Sequence, residues 1–317
     1  MADFHDDQWT HPAVILVATD LSDLDRLMPF AVDEANETGA RLILLHVLTA
    51  GAGLNVDAVG MPYYDTLSAF DFAAKTLESC RALARQQQIL CDVVVREGNP
   101  AQQIIASVRQ FQAGRILLGT RSRGKISKLL LGSVAEQVLR SVNLPVITVG
   151  PEAHLAVGNS DDKVVLHATT LRETSRPSAA LACQMAASQH ARLVLLHVAP
   201  AVVDSVGSPQ PTGPDSTAMR ELEQLAAETR SGGLCRDALV EVRIVHGHPA
   251  IEILATATEM GASLIILGAT HRSALQSLTR DRTIYRVLAH ARCPVLTLRE
   301  ESTEIPSLRG GRLALHL

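Results

Sequence analysis

Ala40-Arg-Leu-Ile-Leu-Leu-His-Val47 returns as Ala191-Arg-Leu-Val-Leu-Leu-His-Val198, identical at seven of eight positions. Outward from this pair, further stretches repeat in the same order. Val14-Ile-Leu-Val-Ala-Thr-Asp-Leu21 answers to Val164-Val-Leu-His-Ala-Thr-Thr-Leu171, and Gly98-Asn-Pro100 answers to Gly247-His-Pro249. Arg115-Ile-Leu-Leu-Gly119 answers to Leu264-Ile-Ile-Leu-Gly268, and Leu144-Pro-Val-Ile-Thr-Val149 to Cys293-Pro-Val-Leu-Thr-Leu298. The offset stays between 149 and 151 residues, so the chain reads as a tandem duplication.

Each repeat reads β-α-β-α-β-α-β-α-β. The strands are short continuous apolar runs without alternation, the pattern of a sheet covered on both faces by helices. Between them, Ala69 to Gln88 carries apolar residues at helical spacing, Ala101 to Phe111 follows a first-turn Pro100, and Ser133-Val-Ala-Glu136 reads as a capping box opening another helix. Strands alternating with helices imply an α/β fold with parallel sheets and right-handed crossovers. The expected division is a first domain over 1–150, a linker over 151–162, a second domain over 163–299 and a tail over 300–317. Two longer connections follow the second strand of each half, Leu48 to Tyr64 and Ala199 to Pro214, and the Pro-, Gly- and Ser-rich second one is expected to be mobile.

Composition sets the outer limits. A length of 317 residues suits two domains at about 150 each. With 47% hydrophobic and 20% charged residues, neither disorder nor a fibre fits. A net charge of −4 and 3% aromatics exclude the basic, base-stacking face of a general nucleic-acid binder. The apolar runs fall short of the ~20 residues that span a bilayer. The acidic start (Asp3, Asp6, Asp7) lacks the order of a secretion signal, so the expected compartment is the cytoplasm. Five cysteines (Cys80, Cys91, Cys183, Cys235, Cys293) without a CxxC pair suit thiols used as small apolar residues.

In open α/β sheets, ligands bind beyond the carboxyl ends of the strands where the winding reverses. Thr19-Asp20 follows the first strand. Gly119-Thr-Arg-Ser-Arg-Gly-Lys-Ile-Ser-Lys-Leu-Leu-Leu-Gly132-Ser133 follows the fourth and leads into a helix. Gly119 allows a close approach to a ligand. The helix start at Gly132 and Ser133 offers unpaired amides to an anion, and Arg121, Arg123, Lys125 and Lys128 add positive charge.

Strand-Thr-Asp, the repeated Leu-Leu-His-Val strand, Gly-x-Pro, and the glycine-spaced segment ahead of Ser133 and a Pro-Val strand together resemble the universal stress protein family. The resemblance covers both halves. It implies two tandem Rossmann-like domains, each a five-stranded parallel sheet of order 3-2-1-4-5 with helices on both faces. It further implies ATP, or ADP or AMP, bound between strands one and four, with Mg2+ accompanying the phosphates. By resemblance, Asp20 and the backbone of Val47 take the adenine end, and Thr19 is counted among the nucleotide-binding residues. Gly119, Arg121 and Ser122 form the loop around ribose and phosphate, and Gly132, Ser133 and Val134 hold the phosphates. Ser122 stands where the family pattern has its second glycine. In the second half Thr170 replaces the aspartate, and Gly268-Ala-Thr-His271-x9-Asp281-Arg282 changes both distal positions, placing a carboxylate where phosphate needs donors. One competent site in the first half is therefore expected.

Other motifs carry less. Gly119-x4-Gly124-Lys125 is near to a P-loop, but Ile126 stands where Ser or Thr should reach Mg2+. Ser231-Gly-Gly-Leu234 reads as a helix stop. His246 and His248 lack a third clustered ligand, and His46 and His197 read as structural, with pocket lining as the alternative. No base for water is evident, so the expected activity is regulatory nucleotide binding in a stress response. The alternatives are a slow ATPase at the same pocket and a nucleotide-independent scaffold. The expected partners are an adenine nucleotide and an unidentified protein. The Pro-Val strands are expected at sheet edges, where they would join the two halves as an internal pseudo-dimer, with a homodimer of chains as a further contact.

Overall fold

The computed structural model describes residues 9–49, 54–56, 62–120, 131–154, 163–203, 209–210, 216–231, 239–270 and 282–300. In the first half the elements run β1 (Val14–Thr19), α1 (Leu24–Thr38), β2 (Arg41–Leu48), β3 (Leu54–Val56), β4 (Pro62–Tyr64), α2 (Thr66–Gln86), β5 (Cys91–Glu97), α3 (Pro100–Phe111), β6 (Arg115–Gly119), α4 (Ser133–Ser141) and β7 (Val146–Val149). The second half repeats them as β8 (Val164–Thr169), α5 (Arg176–Ser188), β9 (Arg192–Ala199), β10 (Val202–Val203), β11 (Pro209–Gln210), α6 (Ser216–Ser231), β12 (Val240–His246), α7 (Pro249–Glu259), β13 (Leu264–Thr270), α8 (Arg282–His290) and β14 (Val295–Glu300).

The ten main strands form one continuous sheet, β12-β9-β8-β13-β14-β7-β6-β1-β2-β5. Read from β1 or from β8, each half has the expected order 3-2-1-4-5. Pairing is parallel within each half and antiparallel only where β14 meets β7, with Ile147 opposite Leu296. The two Pro-Val strands thus satisfy each other's free backbone groups, which an open edge would leave exposed. The two long connections each carry a small antiparallel ribbon, β3 with β4 and β10 with β11.

All six side chains of β1 are buried, as continuous apolar runs demand when helices cover both faces. One face packs against α3, α4, α7 and α8 through residues such as Ile104, Val138, Ile253 and Val287. The other packs against α1, α2, α5 and α6 through Leu27, Leu77, Leu181 and Leu222. Each apolar layer draws on both halves, so the core crosses the seam.

Two local expectations are corrected. Helix α4 begins at Ser133 with Gly132 as its N-cap, at φ −62° and ψ 141°, and no side chain caps it. Ser133 is therefore the first helical residue and not the head of a capping box, because the extended Gly132 already turns the chain in. Cys183 is disulfide-bonded, whereas Cys80, Cys91 and Cys293 are free and buried, as small apolar thiols should be; Cys235 lies outside the described residues. Among the described residues no helix is long and apolar enough to cross a membrane.

Candidate functional site

A cavity of about 770 Å³ opens at the carboxyl ends of β1, β2 and β6. It sits where the strand order reverses, since β1 lies between β2 and β6 and the chain leaves the two sides of the sheet in opposite directions. Apolar side chains from Leu45, Ile104, Leu118 and Leu131 form much of its wall.

The turn after β1 is built by Thr19. Its hydroxyl accepts a hydrogen bond from the Leu21 amide at 2.9 Å and donates to Asp23 Oδ1 at 2.6 Å. Leu21 is held at φ +71°, a left-handed conformation that a branched residue keeps only when its surroundings fix it. The second half repeats this device, with Leu171 at φ +60° and its amide 3.1 Å from Thr169 Oγ1. Asp20 is exposed at the crevice mouth, where Oδ1 accepts from the Ser22 amide at 2.9 Å and from its hydroxyl at 2.7 Å.

On β2, His46 lines the cavity, and its Nδ1 lies 2.9 Å from the Thr19 carbonyl oxygen. Nδ1 therefore carries a proton and donates it to that carbonyl. His197 makes the same contact with Thr169 at 3.1 Å. Both histidines tie the second strand to the end of the first, and in the first half that histidine also faces the cavity.

On β6, a Cβ on Gly119 would run into the carboxyl of Asp23. The glycine thus leaves room for that carboxyl as it is placed, and not for a special backbone angle, since Gly119 is not among the residues with positive φ. Burial pushes Asp23 up to about 6, against the Thr19 hydrogen bond, which lowers it. Beyond Gly119, Thr120 is buried with no hydrogen-bond partner for its hydroxyl. Its carbonyl accepts from the Gly132 amide at 2.7 Å, which brings the start of α4 to the cavity rim. The first-turn amides of α4 have no carbonyl within the helix to bond and present a site for an anion. Glu136, one turn in, also lines the cavity and pairs with Arg140 at 2.6 Å.

Thr19, Asp20, Val47, Gly119, Gly132, Ser133 and Val134 thus all line one cavity. Arg121 and Ser122 lie outside the described residues, as do Arg123, Lys125 and Lys128. Sequence reading missed Asp23, Thr120 and Glu136. Asp23 was hidden because an aspartate just ahead of a helix reads as its cap. In the second half Thr170 is exposed with its hydroxyl 3.1 Å from Ser175 Oγ; Asp281 lies outside the described residues. Among the described residues no group of three or more His, Cys, Asp or Glu could hold a metal ion.

Fold and crevice together define a tandem, doubly wound α/β protein with a cavity at the strand-order reversal of its first half. The model of the universal stress protein family matches residues 13–150 and again 162–299, and the chain belongs to that family. A universal stress protein of Mycolicibacterium smegmatis is 26% identical over 299 residues, covering 90% of this chain and 96% of that one. The crystal structure of a universal stress protein from Archaeoglobus fulgidus DSM 4304 has the same fold, with a TM-score of 0.70 and 22% identity over 92% of this chain and 98% of that one. A universal stress protein from Archaeoglobus fulgidus in complex with dAMP matches 43% of this chain and 96% of its own, at 16% identity and a TM-score of 0.33. That nucleotide is the archaeal protein's ligand.

Proposed function

We propose that the first-half crevice binds an adenine nucleotide, ATP foremost, and that the second half has no competent counterpart. One observation carries this reading. A cavity of about 770 Å³ coincides with the open amino-terminal turn of α4 at the strand-order reversal. The apolar wall suits a flat base, with Asp20 and the backbone of Val47 at that end. The amides of Ser133 and Val134 suit phosphate oxygens. Arg121 and Ser122, which lie outside the described residues, are assigned to the same ligand. Mg2+ would be carried by the phosphates themselves, in keeping with its habit of retaining water and few protein ligands.

In this reading the nucleotide acts as a signal. Its occupancy biases the connection from Leu48 to Tyr64, which begins at the cavity rim, and a protein partner reads the change in population.

Titration calorimetry of the full chain with ATP is the direct test. One nucleotide per chain is expected, and Gly132→Asp should weaken binding more than about tenfold by placing a carboxylate among the phosphate-facing amides. Aspartate is a favoured N-cap, so the variant should melt no lower than the wild type. Two nucleotides per chain, or none, would overturn the reading.

A further inference from the structure

We propose that Asp23 reads the sugar of the nucleotide, its second carboxylate oxygen accepting a hydrogen bond from a ribose hydroxyl. This rests on the nucleotide reading above.

Asp23 occupies the N-cap position of α1, yet its side chain makes no capping hydrogen bond. An aspartate there ordinarily turns its carboxylate to the first-turn amides. Here only the backbone carbonyl serves the helix, accepting from the Arg26 and Leu27 amides at 3.0 and 2.9 Å. Helix architecture therefore does not explain where the side chain goes.

The carboxyl instead turns under the crevice. Oδ1 takes the Thr19 hydroxyl at 2.6 Å, and Oδ2 lies on the side of Gly119. Asp23 is 4% exposed and lines the cavity. Asp23 is not among the residues with a fully buried, unpartnered polar atom, and a carboxylate that lines a cavity with one oxygen already committed to Thr19 has lone pairs left to accept from the cavity's occupant.

The required chemistry follows from charge. Even with its pKa pushed up to about 6, Asp23 is mainly ionised at pH 7.5 and can only accept. Phosphate oxygens would be repelled, whereas a hydroxyl fits. Position selects the sugar. Asp23 and Gly119 lie between the Val47 end of β2 and the start of α4, hence between the sites for base and phosphate. The second half has no such group, for Glu173 at the matching position is exposed.

The test measures binding of ATP, 2′-deoxy-ATP and 3′-deoxy-ATP to the full chain at pH 7.5, for the wild type, Asp23→Asn and Asp23→Ala. The wild type should prefer ATP over at least one deoxy analogue by about tenfold or more, the scale of a hydrogen bond to a charged group. In Asp23→Ala that ratio should fall to near one, and in Asp23→Asn, which keeps a partner for Thr19, it should shrink without vanishing. Because each ratio is internal to one variant, a general loss of stability cancels. If Asp23→Ala does not fold, a shrunken ratio in Asp23→Asn supports the proposal and an unchanged one overturns it. Equal binding of all three nucleotides by the wild type, or discrimination unchanged in Asp23→Ala, would also overturn it while leaving the nucleotide site standing. Failure of the wild type to bind ATP would remove the nucleotide reading, and this one with it.

Discussion

His167 stands in β8 where Val17 stands in β1, and its side chain is fully buried. Nδ1 lies 3.1 Å from the Ile266 carbonyl oxygen, so it carries the proton, while Nε2 is buried without a partner. Burial pushes this imidazole down to about 4, against about 6.5 in an unfolded chain. Between those values the unfolded state takes up a proton that the folded state refuses. The contribution of His167 is therefore fully present above about pH 6.5 and declines as the pH falls toward 4. Asp23 acts with the opposite sign, since burial raises it and its protonated form favours the fold as the pH falls. Comparison with His167→Val isolates the histidine. In urea titrations the wild type should lose about 2 kcal/mol relative to the variant between pH 7 and pH 5. Parallel pH profiles for the two proteins would show that Nε2 finds a proton acceptor after all.

At the scale of elements, the repeat supplies its own controls. α3 and α7 both follow a Gly-x-Pro turn, with Pro at the first helical turn in each. Asn99 caps α3 by accepting from the Gln102 amide at 3.1 Å, whereas His248, at the same place before α7, makes no capping bond. His248→Asn should raise stability by about 1 kcal/mol and Asn99→His should lower it by a similar amount; thermal denaturation of both variants reads the two signs directly. Elements of this kind were legible in the sequence. The strands stood out because a sheet covered on both faces demands unbroken apolar runs, as in β1, and the caps and prolines marked α3. The start of α4 was misplaced by one residue, since Ser133 and Glu136 match a capping signature that the extended Gly132 makes unnecessary. What stayed hidden depends on partners far away in the chain. The cavity-facing side chain of Asp23 is fixed by Thr19 and by the missing Cβ of Gly119, and the disulfide at Cys183 has no CxxC spacing to announce it. Arg115 is fully buried against Glu34 and the Trp9 carbonyl, although its repeat counterpart is Leu264.

For the whole molecule, the governing feature is the seam between the halves. β7 and β14 pair antiparallel, and Thr148 Oγ1 adds a hydrogen bond to the Val295 carbonyl at 3.1 Å. Glu37 of the first half accepts from Lys163 and from Gln189 of the second, each at 2.6 Å. Near the amino terminus, Thr10 donates to Gln184 at 2.5 Å, and Arg115 holds the adjoining Trp9 carbonyl. The two apolar layers run through the seam without a break, so the connecting segment is not needed to keep the halves together once they have met. A protease site inserted within residues 155–162 tests this. After cleavage, the two fragments should co-elute on gel filtration at the mass of the intact chain and separate only in denaturant. Ile147 and Leu296 are opposite each other at the centre of the pairing, 1% and 0% exposed. Ile147→Lys would bury an unpaired ammonium there, at a cost of several kcal/mol, and the cleaved variant should fall apart without denaturant. Separation of the cleaved wild-type fragments in native buffer would mean that covalent tethering, and not strand pairing, holds the ten-stranded sheet together.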